Sequence, residues 1–252
     1  MIDIHSHILP GLDDGSKDIN MTLEMLKRAE DNKTKKIVAT PHYCIGYGEV
    51  EYLDVKKVTD YVRKASKENN INIDIYCGQE VFFTKSILDL YEKGIIGTIN
   101  DSAYMLIELP MQNFEDRTID TLYELNLKGI NIILAHPERY IPFINEPERI
   151  NDFIDEGILF QMNSGSVLGT FGKSVKKTAE IFLKNNIYSF IGSDAHNNTN
   201  RKTGIQDSIS FINKRYTGYG DIFDENANLM LNNNIVKFNG QKIPKKKKFF
   251  IF

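Results

Sequence analysis

The sequence predicts a single-domain α/β protein in which about seven strand–helix units form a parallel barrel. Short β-type runs alternate with helix-type runs, a pattern typical of parallel sheets, and this number of units favours a closed barrel. No linker, repeat or low-complexity segment interrupts the alternation before the C-terminal tail. Polar residues follow the strands, as expected where barrel strands end at one common mouth.

The first half of the chain opens with a strand over 2–7 (IDIHSH) and a helix over 17–32. Apolar residues recur near helical spacing in that helix, and Ser16 is a possible N-cap. Residues 71–78 (INIDIYCG) alternate as a half-buried strand does. Between them we predict a strand over 37–40 and a helix over 50–69.

The second half begins with a continuous apolar run at 104–109 (YMLIEL), which is typical of a strand buried on both faces. The alternation then continues to about residue 233, so we expect the domain to span residues 1–240. The further predicted elements are strands over 131–136, 158–163 and 188–194, and helices over 115–128, 147–156, 173–186, 207–215 and 224–233.

The composition narrows the class of protein. A chain of 252 residues with a net charge of −3 gives no reason to expect a nucleic-acid partner. Two cysteines, Cys44 and Cys77, cannot form a disulfide framework, which favours a reducing compartment. The sequence shows neither a signal peptide nor an apolar run of about 18 residues, so we expect a cytoplasmic location.

Residues 241–252 are predicted to be a basic and aromatic tail outside the domain. Four lysines precede the sequence FFIF, which permits weak contact with an anionic surface at the inner face of a membrane. A solvated tail is the alternative that we favour. The lysines are Lys245, Lys246, Lys247 and Lys248.

All five histidines lie near the C-terminal end of a predicted strand, beside a carboxylate or a Gly/Pro turn. Imidazole suits Zn, Fe and Mn, and carboxylates suit the harder ions. Five imidazoles with several carboxylates are more ligands than one ion uses, so the sequence predicts two or three metals. The candidate ligands are His5, His7, Asp14, His42, Glu80, Glu108, His136, Asp194 and His196.

Two pairs of these candidates are two residues apart, a spacing that puts both side chains on one face of a strand. They are His5 with His7 and Asp194 with His196. In the loop GLDDGS, Asp13 competes with Asp14 as a candidate ligand.

The ordered motifs DIHSHILPGLDDGSKD, ATPHY, GQEVFF, LIELP, AHPERY, MNSGSVLG and IGSDAHN resemble the polymerase and histidinol phosphatase (PHP) superfamily. Within it, they look like the metal-dependent, capsule-associated protein tyrosine phosphatases of Gram-positive bacteria. The resemblance runs from Met1 to about residue 235. It implies a distorted (β/α)7 TIM-like barrel with three divalent metal ions, Mn²⁺ being the first choice and Fe, Zn or Co the alternatives.

The resemblance also implies one ligand set for each ion. The first ion would bind His5, His7, Glu80 and Asp194. The second would bind Glu80, Glu108 and His136, and the third Asp14, His42 and His196. Glu108 in place of a histidine resembles the tyrosine-phosphatase branch and argues mildly against a histidinol phosphatase.

The charge balance of such a site favours a phosphate monoester as the substrate. Three divalent ions outweigh four carboxylates, and arginine forks match phosphate oxygens. A hydroxide held between two metals would attack phosphorus in line with the leaving oxygen. The predicted catalytic residues are Arg139, Arg201, Asp14 and His42, with Asp13 or Asp14 assisting the leaving group.

The cysteines argue against a thiolate nucleophile. A cysteine phosphatase needs an arginine at a fixed spacing after its cysteine, and at that spacing Cys44 is followed by Val50 and Cys77 by Phe83.

The resemblance implies that the substrate is the phosphorylated tail of a membrane-associated tyrosine kinase. The alternatives are a histidinol-phosphate-type phosphatase, a phosphodiesterase or nuclease, and a non-catalytic regulator.

Overall fold

The computed structural model describes residues 1–115, 117–216 and 218–245 and shows a distorted (β/α)7 barrel. Seven parallel strand positions follow one another around the barrel, as predicted. The strands are β1 (Ile2–Ser6), β2 (Lys36–Ala39), β3 (His42–Cys44), β4 (Gly48–Glu49), β5 (Asp74–Cys77), β6 (Glu80–Phe82), β7 (Tyr104–Glu108), β8 (Asn131–Ala135), β9 (Leu159–Asn163) and β10 (Phe190–Gly192).

The barrel is distorted because two of its seven strand positions are interrupted. β2 continues into β3 past Pro41, and β5 continues into β6 past Gly78. Proline has no N–H for the ladder, and glycine weakens a strand interior. The ladder therefore divides into a sheet of order β1-β2-β5 and a sheet of order β10-β9-β8-β7-β6-β3-β4.

The barrel closes between its first and last strands. Ser6 and Ala195 form a parallel bridge, and the amide of Asp194 donates to the carbonyl of His5 at 2.8 Å. β4 is an added hairpin strand that pairs antiparallel with β3. The sequence did not predict this hairpin, because its strands are too short to show a periodicity.

The helices surround the barrel and close its N-terminal end. In α10 the side chains of Ala227, Met230 and Leu231 pack on the apolar barrel interior with Tyr104 and Leu106 of β7. The helices are α1 (Ile19–Asp31), α2 (Tyr52–Glu68), α3 (Ile87–Glu92), α4 (Arg117–Leu127), α5 (Ile141–Asn145), α6 (Ile150–Asp155), α7 (Ser164–Leu168), α8 (Lys173–Lys184), α9 (Gln206–Asn213) and α10 (Tyr219–Leu231).

Two sequence-based details of the helices were wrong. The N-cap of α1 is Asp18, whose carboxylate accepts from the amide of Met21 at 3.0 Å, whereas the buried Ser16 lies two residues earlier and binds Thr22. α10 begins five residues before the predicted position 224. Burial of Tyr219 and Phe223 stabilises this first turn, although its sequence favours helix only weakly.

The C-terminal segment packs on the barrel further than predicted. Ile243 is buried, and its amide and carbonyl both bind the side chain of Asn151 in α6. The packed chain therefore passes residue 240, and of the four tail lysines only Lys245, which is exposed, lies within the described residues. Among the helices described, none is long and apolar enough to cross a membrane.

Candidate metal centre

The C-terminal mouth of the barrel gathers the predicted ligands. His42 and Glu80 begin β3 and β6, the outer parts of the two broken strand positions, and Asp14 lies in the loop after β1. The other candidate ligands lie in a strand or in the loop that follows it, so the topology brings together residues that are far apart in sequence. All nine lie in this cluster, although their role as ligands stays a prediction: His5, His7, Asp14, His42, Glu80, Glu108, His136, Asp194 and His196.

The first pair of histidines is held in place by hydrogen bonds to its outer ring nitrogens. Nδ1 of His5 lies 2.9 Å from Oε1 of Gln161, and Nδ1 of His7 lies 2.6 Å from Oδ2 of Asp13. Both Nε2 atoms therefore point into the cluster, 3.2 Å apart. Such partners fix the tautomer and ring orientation of metal-binding histidines.

The structure separates the roles of the two neighbouring aspartates. Asp13 is occupied by His7 and by the amides of Gly15 and His42. Asp14 is half-exposed, and its Oδ1 lies 3.3 Å from Nε2 of His196. Asp14 is therefore the candidate ligand, and Asp13 is a positioning residue that sequence reasoning had left as a competitor.

The first candidate group consists of His5, His7, Glu80 and Asp194. Oε2 of Glu80 lies 3.0 Å from Nε2 of His5 and 3.2 Å from Nε2 of His7. Oδ1 of Asp194 lies 3.7 and 3.5 Å from the same nitrogens. Atoms that share one ion through bonds of roughly 2.1 Å are about 3.0–3.5 Å apart, so this spacing fits a common ion.

The second group lies on the other side of Glu80. Nε2 of His136 is 3.0 Å from Oε1 of Glu80 and 3.6 Å from Oε1 of Glu108. Nδ1 of His42 lies 3.2 Å from Oε2 of Glu80, and in the structure the tightest group here is His42 with Glu80 and Glu108, whereas the sequence had assigned His136 with these two carboxylates. Glu80 thus faces different histidines with its two oxygens, the geometry that a bridging carboxylate needs.

The third group is the most exposed. Oδ1 of Asp14 lies 3.6 Å from Nε2 of His42 and 3.3 Å from Nε2 of His196. His7 completes this group, which the sequence had not assigned there. Its ring lies 3.8 Å from that of His196, centroid to centroid.

Unsatisfied polar atoms support metal binding by these residues. Within the described part of the chain, Oε2 of Glu80 and Nε2 of His196 are buried and make no well-aligned hydrogen bond, although other candidate ligand atoms lie 3.0–3.3 Å away. Buried polar atoms are rarely left so. The donor set, imidazoles with carboxylates, suits Mn, Fe, Zn or Co.

The charges of the cluster depend strongly on one another. Burial and the neighbouring Glu80 raise the pKa of Glu108 to about 9, and burial with the nearby Arg139 lowers the pKa of His136 to about 4. Metal binding needs neutral imidazole and ionised carboxylate. His136 is therefore already in its ligating form, whereas Glu108 has to lose a proton when a cation binds.

Both predicted phosphate-binding arginines lie at the site and contact Asp194. Nη1 of Arg139 donates to Oδ2 of Asp194 at 2.9 Å, and Nη2 of Arg201 donates to Oδ1 of Asp194 at 2.5 Å. Arg139 also stacks over the ring of Phe171 at 4.7 Å. Both arginines line the pocket, where an oxyanion would lie.

The backbone around the site is unusual. His136 and Asp194 have φ values of 32° and 52°, a left-handed conformation that is costly for residues other than glycine and is common at functional sites. Gly192 lets β10 approach β1, because a Cβ there would be 2.4 Å from Cβ of His5.

A pocket of about 220 Å³ lies at the mouth, and six of the nine candidate ligands line it: Asp14, His42, Glu80, Glu108, His136 and Asp194. Sequence reasoning missed part of its lining, namely Cys44, Tyr47 and Phe82. Two of these lie two residues beyond a ligand, His42 or Glu80, and that spacing was the signal that could have found them. Burial and Glu108 raise the pKa of the Cys44 thiol, which disfavours a thiolate nucleophile.

Comparison with known proteins places the chain in a family. Residues 1–232 match the family described as capsular polysaccharide synthesis, CpsB/CapC. The chain is 31% identical to the tyrosine-protein phosphatase YwqE of Bacillus subtilis over all of both chains. It is 33% identical to the tyrosine-protein phosphatase CpsB of Streptococcus pneumoniae over 221 residues, 86% of this chain and 91% of that one.

Solved structures agree with this result. A structure of YwqE and CpsB, described as unique metal-dependent tyrosine phosphatases, matches with a TM-score of 0.92 and 31% identity over 97% of this chain and 100% of that one. A histidinol phosphate phosphatase from Lactococcus lactis matches with a TM-score of 0.56 and 12% identity over 86% and 93% of the two chains. At 12% identity, the second match shows only that the two proteins share a similar fold.

Proposed function

The chain belongs to the capsular polysaccharide synthesis family CpsB/CapC and is a metal-dependent tyrosine-protein phosphatase, and we propose that its mouth cluster holds three divalent ions for phosphotyrosine hydrolysis. The observation that carries this proposal is the convergence of imidazoles and carboxylates on Glu80, whose two oxygens face different histidines at 3.0–3.2 Å.

Each ion has its own ligands in this proposal. The first ion takes His5, His7, Glu80 and Asp194, the second takes Glu80, Glu108 and His136, and the third takes Asp14, His42 and His196. When bound, such ions supply positive charge for the phosphate and make water nucleophilic at neutral pH.

The remaining groups of the chain bind and orient the phosphate. Arg139 and Arg201 approach Asp194 from the pocket side, and each keeps further N–H groups for phosphate oxygens. Asp13 holds His7 and does not line the pocket, so of the two aspartates only Asp14 lies near a leaving group. His42 lines the pocket beside it.

The substrate in this proposal is the phosphotyrosine tail of a membrane-associated tyrosine kinase that regulates capsule or exopolysaccharide assembly. The family description and the phosphatase relatives support this choice. We propose Mn²⁺ as the metal and the cytoplasm as the location, near the inner face of the membrane where such a kinase would lie.

A comparison of substrates tests the proposed function. We expect the manganese-loaded protein to hydrolyse a phosphotyrosine peptide with a kcat/KM far above that for histidinol phosphate or a bis-aryl phosphodiester. The diester lacks the second negative charge that three cations and two arginines stabilise. The measurement is kcat/KM for all three substrates on one preparation, and a preference for histidinol phosphate would assign the chain to small-molecule metabolism instead.

A further inference from the structure

The pocket above the ligands has two chemically different levels. In β3, His42 and Cys44 are two residues apart and share a face, and in β6 the same holds for Glu80 and Phe82. The first residue of each pair is a candidate ligand, and the second lies one step further toward solvent. In these two strands a less polar side chain therefore lies beyond each candidate ligand, and Cys44 and Phe82 form part of what we call the rim.

Phe82 is fixed at this rim by the sheet. It pairs in register with Glu108 of β7, so the two side chains stand next to each other on the pocket face. Phe82 is only partly buried although its neighbour Val81, on the opposite face, is fully buried in the core. One part of the Phe82 ring is thus available to a molecule in the pocket.

Tyr47 reaches the same pocket from the β3–β4 hairpin. The amide of Tyr47 donates to the carbonyl of Cys44 at 3.0 Å, and Gly46 has a φ of 80°, so a tight turn defines the position of Tyr47. Its side chain is 69% exposed, yet it lines the pocket together with Phe82 and the two arginines. A large aromatic side chain this exposed has much apolar surface free for a ligand.

We propose that Tyr47 and Phe82 bind the phenyl ring of the substrate and thereby select aryl over alkyl phosphates. This inference rests on the proposed function, because it concerns the substrate of the same pocket. With the phosphate at the ligands and arginines, the ring of a phosphotyrosine extends toward the rim, where the two aromatic side chains lie. Aromatic rings attract one another through offset stacking and edge-to-face contacts.

Inhibition by two phosphonates tests this inference without relying on the chemical step. Phenylphosphonate and methylphosphonate offer the same anionic group, and only the first has a ring. We expect the wild-type protein to bind phenylphosphonate more tightly. Tyr47→Ala and Phe82→Ala should each reduce this preference by about two- to tenfold, the contribution of one aromatic pair, with little change for methylphosphonate and an unchanged metal content.

Two control variants and a second measurement sharpen the test. Ile45→Ala changes an apolar side chain of the same hairpin that is 53% exposed and does not line the pocket, so the preference should stay at the wild-type value. Tyr47→Phe keeps the ring and should retain the preference. The ratio of kcat/KM for a phosphotyrosine peptide over glycerol 2-phosphate should fall in the same variants.

The inference is wrong if the preference for phenylphosphonate survives in both Tyr47→Ala and Phe82→Ala, or if Ile45→Ala reduces it equally. A loss in Tyr47→Phe as large as in Tyr47→Ala would also overturn it, because the hydroxyl would then be responsible. These outcomes leave the proposed function intact as long as the wild type hydrolyses phosphotyrosine. A wild-type protein without that activity would overturn the proposed function first.

Discussion

At the scale of single residues, Arg139 and Arg201 should differ from the candidate ligands in their effect on metal content, although both contact the candidate ligand Asp194. A guanidinium stays protonated and does not bind metal. Arg139→Ala and Arg201→Ala should therefore keep the full metal content and lower kcat/KM for a phosphotyrosine peptide by roughly ten- to a thousandfold, the range for one lost charged donor. Metal analysis and steady-state kinetics on the same samples measure both effects.

The contact of both arginines with Asp194 makes this prediction sharp. If either substitution released metal, that arginine would act by holding Asp194 rather than by binding phosphate. Arg215→Ala is a suitable control, because Arg215 stacks over Phe211 at 4.0 Å and does not line the pocket.

Glu80 should behave in the opposite way. Glu80→Gln removes the carboxylate that faces two groups of ligands, so we expect metal and activity to be lost together. The metal-loaded Tm should fall because bound metal stabilises the folded state. The Tm in chelator should fall much less, since no metal is then bound to either protein. Normal turnover with a full metal complement in Glu80→Gln would refute the bridging role.

The sequence identified the candidate ligands but not their supports. That these residues converge at one mouth was predictable, because they are chemically distinctive and follow recognisable strands. The role of Gln161 was not predictable, because its hydrogen bond to His5 joins residues that meet only in the tertiary fold. The role of Asp13 was not predictable either, because the sequence does not show which of two adjacent aspartates binds His7.

At the scale of elements, seven strand positions were predictable because each contains an apolar run. The breaks past Pro41 and Gly78, and the hairpin that carries Tyr47, were not predicted. The affected segments, such as β3 and β6, have only three residues and include candidate ligands, so they lack the alternation that indicates a strand.

The contact between β1 and β10 gives a prediction at this scale. Gly192→Ala would place a Cβ 2.4 Å from Cβ of His5, which forces the two strands apart. We expect unfolding to become easier by about 1–3 kcal/mol, the usual cost of overpacking a core, with weaker metal binding. Thermal and urea unfolding measure the effect.

Gly48→Ala is the matched control for this prediction. Gly48 also lies in a strand, but an added Cβ has no heavy atom within 4 Å. An equal loss of stability in both variants would mean that the close approach of β1 and β10 is unimportant.

At the scale of the whole molecule, the barrel explains why residues from position 5 to position 201 meet at one site. The parallel strands all end at the same mouth, and the apolar interior below it is closed by α10. We expect bound metal at this mouth to stabilise the folded state, because ions that bind only the folded protein shift the equilibrium toward it.

The central claim is that three bound ions are required for phosphotyrosine hydrolysis. The most direct measurement is a titration of the chelator-treated protein with Mn²⁺, in which bound metal per chain and turnover of a phosphotyrosine peptide are determined at each step. We predict no turnover without metal and full turnover only as occupancy approaches three ions per chain. Full turnover in excess chelator, with no metal bound, would contradict the claim.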